Sequence, residues 1–94
     1  MLTVKQKVKL RSMAMTIKPI YQIGKDGITD NLIEGLSLAL DAHELIKVSV
    51  LKTVMDPIKQ IAYDITSATN SELIQVIGRQ IILYRKSKKQ LIKL

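Results

Sequence analysis

Ile20-Tyr21-Gln22-Ile23-Gly24-Lys25-Asp26-Gly27-Ile28-Thr29-Asp30 passes from a β-prone run, through a glycine-bounded break, into a helix start. Residues 20–23 read as a short strand. Two glycines three apart interrupt regular structure, and a glycine can bring its backbone against a neighbour because it lacks Cβ. Thr29 is a natural N-cap, and Asp30 suits the positive end of the helix that follows. Leu32, Ile33, Leu36, Ala39 and Leu40 then recur at helical spacing and predict its buried stripe, with an end near His43.

Downstream, residues 45–51 read as a buried strand in which Ile46, Val48 and Val50 alternate with Lys47 and Ser49. Asp56-Pro57 predicts a capping acid followed by proline at the first helical position. Ile58, Ile61, Ala62 and Ile65 line that helix, and Asn70 can close it. Residues 73–77 and 80–85 are β-rich runs around Gly78-Arg79, a glycine-first loop that suits a type II′ hairpin. Upstream, Thr3 predicts the cap of a helix over residues 3–16, stopped by Pro19. Val8, Met13, Ala14 and Ile17 give it an apolar stripe that needs cover, with Lys5 and Lys9 on another face. Residues 86–94 form a basic tail, helical or frayed. The order α-β-α-β-α-β-β predicts an α/β fold, a two-layer sandwich with a four-stranded mixed sheet, as one domain over residues 1–94.

Composition narrows the chemistry. Phe and Trp are absent, so the core is aliphatic. Cysteine is absent too, which removes disulfides and thiolate metal sites. No apolar run reaches the roughly 18 residues of a membrane span, and the N-terminus lacks a signal-peptide run, so a cytoplasmic protein is expected. The net charge of +7 is segregated: residues 1–25 carry +6, residues 26–78 carry −5 and residues 79–94 carry +6. Acid-free basic ends attract a polyanion and release its counterions.

Candidate sites follow from this layout. The Gly24-Lys25-Asp26-Gly27 turn can expose amides and the next helix N-terminus to a phosphate, with Lys25 adding charge. The GXXG loop of KH domains clamps a nucleic-acid backbone in this way. Gly78-Arg79 is a hairpin turn that can also offer Arg79. Tyr21, Tyr63 and Tyr84 are the only rings, and core or rim packing is the simpler reading for all three. A lone His43 beside Glu44 makes neither a metal site nor a catalytic triad, so no enzyme, cofactor or metal is expected. Glu44 reads as a structural residue at a helix–strand junction, and Asp26 as a turn residue.

Leu10-Arg11, Ala14, Ile17-Lys18-Pro19, the run from Ile23 to Thr29, His43-Glu44-Leu45-Ile46-Lys47-Val48, Gln75-Val76-Ile77-Gly78-Arg79 and Leu83-Tyr84-Arg85 together resemble the CRM domain, named for chloroplast RNA splicing and ribosome maturation. The length is similar to stand-alone bacterial YhbY-like members. The resemblance implies a fold like the C-terminal domain of translation initiation factor three. It implies RNA binding through the loop residues Gly24, Lys25, Asp26 and Gly27 and through a basic surface of Lys5, Lys9, Arg11, Lys18, Arg79 and Arg85. Stand-alone bacterial members are associated with precursors of the large ribosomal subunit, and plant members help splice group II introns. Two departures stand out. Thr66-Ser67-Ala68-Thr69-Asn70 replaces a stretch where the family often has glycine, and Asp26 puts a negative charge in the loop.

The expected function is therefore a monomeric RNA-binding protein acting on ribosomal RNA of the large-subunit precursor. The alternative is a membrane-surface or nucleoid-coating protein that uses its terminal segments as basic amphipathic elements. That alternative leaves the glycine loop without a role.

Overall fold

In the computed structural model, which describes residues 2–92 and 94, Thr3 opens the first helix with a capping box. Its hydroxyl accepts from the Gln6 amide at 3.1 Å, and the Gln6 side chain accepts from the Thr3 amide at 2.9 Å. Helix α1 (Val4–Ala14) stops short of residue 16, because the chain tightens there: the Thr16 hydroxyl and amide both donate to the Met13 carbonyl. Pro19 lies beyond this stop and does not set it. Lys93, counted above among the C-terminal cations, lies outside the described residues.

Strand β1 (Tyr21–Ile23) leads through the glycine loop into α2 (Asp30–His43), which Thr29 caps by accepting from the Leu32 amide at 3.1 Å. Strand β2 (Leu45–Val50) follows. Helix α3 (Ile58–Thr69) starts one residue later than expected. Pro57 is its cap residue with an extended ψ of 132°, and Asp56 makes no capping hydrogen bond. Asn70 closes α3 in the left-handed conformation, φ 55°. Strands β3 (Glu72–Ile77) and β4 (Gln80–Tyr84) flank a turn in which Gly78 has φ 57° and Arg79 does not, as a type II′ turn requires.

The four strands form one mixed sheet in the order β1-β2-β4-β3, with β1 parallel to β2 and the other two pairs antiparallel. Alternation along β2 and β4 divides the apolar residues between two cores. Ile46, Val48, Val50, Ile81 and Leu83 face Leu36 and Leu40 of α2 and Ile61, Ala62 and Ile65 of α3. Leu45, Ile82 and Tyr84 face Leu10 and Ala14 of α1. A bulge between Leu73 and Gln75 turns Ile74 into this second core. The expected α/β class and mixed four-stranded sheet are present, but α1 adds a third layer on the face opposite α2 and α3. The reason is that β2 and β4 are apolar on both sides. Helix α1 buries Leu10 and Ala14, while Val8, assigned above to the covered stripe, is 53% exposed. Tyr63 is also exposed on α3, Tyr84 is buried, and the Tyr21 ring lies over Gly35 of α2, where a Cβ would meet its hydroxyl at 2.6 Å.

The basic tail is neither helical nor frayed over its described length. It is pinned by Glu44, a wholly buried carboxylate at the α2–β2 junction whose backbone adopts φ 66°. The carboxylate accepts from the Ser87 amide at 2.7 Å, the Ser87 hydroxyl at 2.6 Å and the Ile92 amide at 2.7 Å. Burial alone would raise its pKa, but the hydrogen bonds from Ser87, Ile92 and Leu91 outweigh burial and hold it below the ordinary glutamate value. Burial, then the charges of Glu44 and Glu72, push the Tyr84 hydroxyl the other way.

Glu44→Gln preserves size and removes the charge. It should lower stability by about 2 kcal/mol, the scale of hydrogen bonds to a charged acceptor, and speed amide exchange at Ser87 and Ile92. Because the folded pKa is depressed, the parent holds this contribution in full above the ordinary glutamate range. It loses the contribution as pH falls through the depressed folded value. Urea titrations across that range should show the loss in the parent and not in Glu44→Gln. An identical acid dependence in both proteins would assign it to other carboxylates.

Candidate nucleic-acid interface

The glycine loop sits at one end of the sheet, at the carboxyl end of edge strand β1. Two contacts with Leu51 hold it there. The Leu51 amide donates to the Ile23 carbonyl at 2.9 Å, and a Cβ on Gly24 would lie 3.3 Å from the Leu51 side chain. Gly27 has φ 68°, a conformation that other residues adopt only under strain. Lys25 and Asp26 are both exposed at the tip. The anion-binding capacity is narrower than the sequence implied. The Gly27 amide is used inside the turn, donating to the Gly24 carbonyl at 2.9 Å, and α2 is already capped by Thr29 with Asp30 in its first turn. What the loop offers an anion is Lys25 and the exposed backbone of the tip.

The Gly78-Arg79 turn lies at the same end, since the Val50 amide donates to the Arg79 carbonyl at 2.8 Å. The Arg79 side chain turns back onto the segment after β2. Its guanidinium donates to the carbonyls of Val50 at 3.0 Å and Val54 at 2.9 Å, and also to Leu51. Arg79 thus braces the segment on which the glycine loop rests.

Arg85 is at the opposite end. Its guanidinium donates to the Thr69 carbonyl at the end of α3 and to the Ser37 carbonyl of α2, at 2.6 and 2.7 Å, and pairs with Asp41 at 2.9 Å. It clasps the two helices together on the face away from α1. The structure therefore brings Arg79 to the loop, separates Arg85 from it, and occupies both guanidinium groups with backbone carbonyls. Those partners lie 25 or more residues away for Arg79 and 16 or more for Arg85, so no local pattern announces them.

Many of the remaining cations lie on the α1 side, Lys59 on α3 being an exception. Lys5, Lys9 and Arg11 lie on α1, and Lys18 lies between α1 and β1. The tail with Lys86 meets the same layer, where Leu2, Gln6, Lys86, Gln90 and Ile92 line one cavity. The two basic ends of the chain thus converge on the α1 side. Asp30, Glu34 and Asp41 lie on α2 and Asp64 on α3, behind the sheet. Among the described residues no group of three or more His, Asp or Glu side chains could hold a metal ion, and no helix is long and apolar enough to cross a membrane.

The model of the CRS1 / YhbY (CRM) domain matches residues 2–85. The chain is 47% identical over 88 residues to a Bacillus subtilis protein named probable RNA-binding protein YqeI, covering 94% of this chain and 92% of that one. It is 33% identical over 93 residues to a Haemophilus influenzae protein named RNA-binding protein, covering 99% and 94%. A Staphylococcus aureus protein solved in solution superposes with a TM-score of 0.80 at 52% identity, covering 94% of this chain and 92% of that one.

The bracing roles predict that both arginines matter to stability. Arg85→Ala should cost about 2 kcal/mol in urea unfolding, mainly through the stranded Thr69 and Ser37 carbonyls and little through the exposed Asp41 pair. Arg85→Lys should recover only part, because an ammonium cannot reproduce the fork. Arg79→Ala should speed amide exchange at Val54. Parent-like stability in both alanine variants would show that these guanidinium contacts do not hold the frame.

Proposed function

The chain belongs to the CRS1/YhbY (CRM) domain family, and on that premise we propose that it binds RNA as a single cytoplasmic domain. Its partner in this reading is ribosomal RNA of the large-subunit precursor, and its role is to assist ribosome assembly as a monomer without catalysing a reaction. The observation that carries the reading is the gathering of both basic ends on the α1 side while the α2 and α3 carboxylates lie behind the sheet. A polyanion approaching that side meets cations with few opposing charges. The glycine loop at the edge of β1 adds an exposed lysine and a backbone that a phosphate can approach closely. Relatives named for RNA binding, aligned over nearly the whole chain, support the same partner class. Crosslinking the protein to RNA in cells and sequencing the attached RNA tests both the partner and the ribosomal assignment. Enrichment of large-subunit precursor RNA is the expected result, and enrichment of unrelated RNA would overturn the ribosomal part.

One observation favours the membrane-surface alternative. Val4 and Val8 on α1 and Met15 at its end are exposed beside Lys5 and Arg11. Anionic liposome flotation separates the readings: co-sedimentation with ribosomal particles and no flotation is expected.

Binding should be sensitive to salt, each phosphate neutralised on single-stranded RNA adding about −0.7 to the slope of log affinity against log salt. Gly24→Asp with Gly27→Asp adds two charges at the loop and should weaken RNA binding at least tenfold, about 1.4 kcal/mol. Lys25→Ala should cost less. The double variant also loses stability, since Gly27 has positive φ and Gly24 abuts Leu51. Thermal melts must therefore accompany the titrations. A folded double variant with parent affinity would reduce the loop to a turn.

A further inference from the structure

Helix α1 covers only part of its face of the sheet. It lies over Leu45, Ile74, Ile82 and Tyr84. Beyond it, toward the end that carries the glycine loop, the same face is open. There the register sets Gln22 of β1 beside Ser49 of β2, Ser49 beside Gln80 of β4, and Gln80 beside Ile77 of β3. Directly paired residues project to the same face, so these side chains form one row across the sheet. Three neighbouring strands separate Gln22 from Gln80 by about 10 Å, two inter-strand spacings. Gln75, paired with Ile82, stands on the same face.

The side chains of Gln22, Ser49, Gln75 and Gln80 make no hydrogen bond to the described residues. Each amide carries two donors and a carbonyl acceptor, and the hydroxyl serves as either. Polar residues on an open sheet face are ordinary by themselves. The charges around this row are what point to a partner. Lys18 lines the same groove as Gln22, Ser49 and Gln80. Lys7 and Arg11 lie one turn apart on the flank of α1 opposite Gln6. Gln6 lines the cavity of Glu72, Tyr84 and the tail, at the far end of the sheet, so helical geometry turns Lys7 and Arg11 away from that end and toward the open row. Glu44 and Glu72 both belong to that far end, and Asp26 at the tip of the glycine loop is the carboxylate at the near end.

We infer that this open row seats single-stranded RNA. Gln22, Ser49 and Gln80 hydrogen-bond to the edges of unpaired bases, and Lys7, Arg11 and Lys18 hold the phosphates alongside. The inference rests on the RNA-binding reading above and assigns it a second surface, distinct from the glycine loop. No ring stands in the row itself: Tyr21 pairs with Val48 and so projects to the other face of β1, its ring against Gly35 of α2, while Tyr84 is beneath α1 and Tyr63 is on α3. Recognition at this row is therefore through hydrogen bonds to base edges. A duplex in A-form engages its Watson–Crick edges in pairing and keeps its major-groove edges in a deep, narrow groove, so the row selects unpaired strands.

The test compares the parent with Gln22→Ala/Ser49→Ala/Gln80→Ala and with Lys7→Ala/Arg11→Ala/Lys18→Ala. The probes are a mixed-sequence single-stranded RNA of a dozen nucleotides and the same RNA annealed to its complement. The parent should prefer the single strand. The polar triple variant should lose about tenfold on the single strand and little on the duplex, with an unchanged salt slope because no cation is removed. The cation variant should flatten the slope by about 2, three phosphates at roughly 0.7 each. Should the alanine triple fail to fold, Gln22→Glu/Gln80→Glu keeps side-chain size, adds two charges and should lose more than tenfold on the single strand. Parent affinity for the single strand in the folded polar variants would make the row a solvated surface and overturn the inference, with the RNA-binding reading intact. A parent that binds neither probe would overturn both.

Discussion

Strands β2 and β4 are buried on both faces, and this one constraint orders the molecule. A central pair of this kind needs apolar residues at successive positions rather than at alternate ones. Leu45-Ile46 and Ile81-Ile82-Leu83 supply them. Each face then needs its own cover. Helices α2 and α3 cover one side and α1 most of the other. With no Phe or Trp in the chain, both cores are filled by aliphatic side chains, with Tyr84 as the buried exception.

The same arrangement separates charge. A sheet with helices on both sides is a partition, and each helix carries its own charged residues to the side it covers. Helix α1 has four cations and no acid, whereas α2 has three acids and no lysine or arginine. Much of the charge segregation visible along the chain thus recurs in space, although Arg85 crosses to the α2 and α3 face and Glu44 and Glu72 lie on the α1 side. The tail completes the basic side because Glu44 holds it there.

Local chemistry made much of this legible in the sequence. Thr3, Thr29 and Asn70 mark helix ends through their own side chains or backbone preferences, and Gly78 marks its turn. Gly24 and Gly27 marked the loop, though the capped helix behind it offers less to an anion than the pattern implied. What could not be read depends on distant partners. Arg79 and Arg85 looked like surface cations because the carbonyls they serve are far away in the chain. Val8 looked like core because helical spacing alone does not show how wide a stripe the sheet can cover. The layer to which α1 belongs was hidden for a related reason. A continuous apolar run such as Leu45-Ile46 shows burial but not how many helices are needed to produce it. The row of Gln22, Ser49 and Gln80 exists only through strand register.

Glu44 also bears on where this domain ends as a separable module. The match to the family model closes at residue 85, yet the groups that satisfy Glu44 belong to Ser87 and Ile92. An excised copy ending at the last strand would keep a carboxylate in the interior after its donors had gone, and an unpaired buried charge costs several kcal/mol. It would keep the positive φ at Glu44 as well, without the hydrogen bonds that accompany it. The unit that can be transplanted into another chain is thus longer than the unit recognised by alignment. Any recombination that joins a new sequence after β4 must bring hydrogen-bond donors for Glu44 or replace the acid.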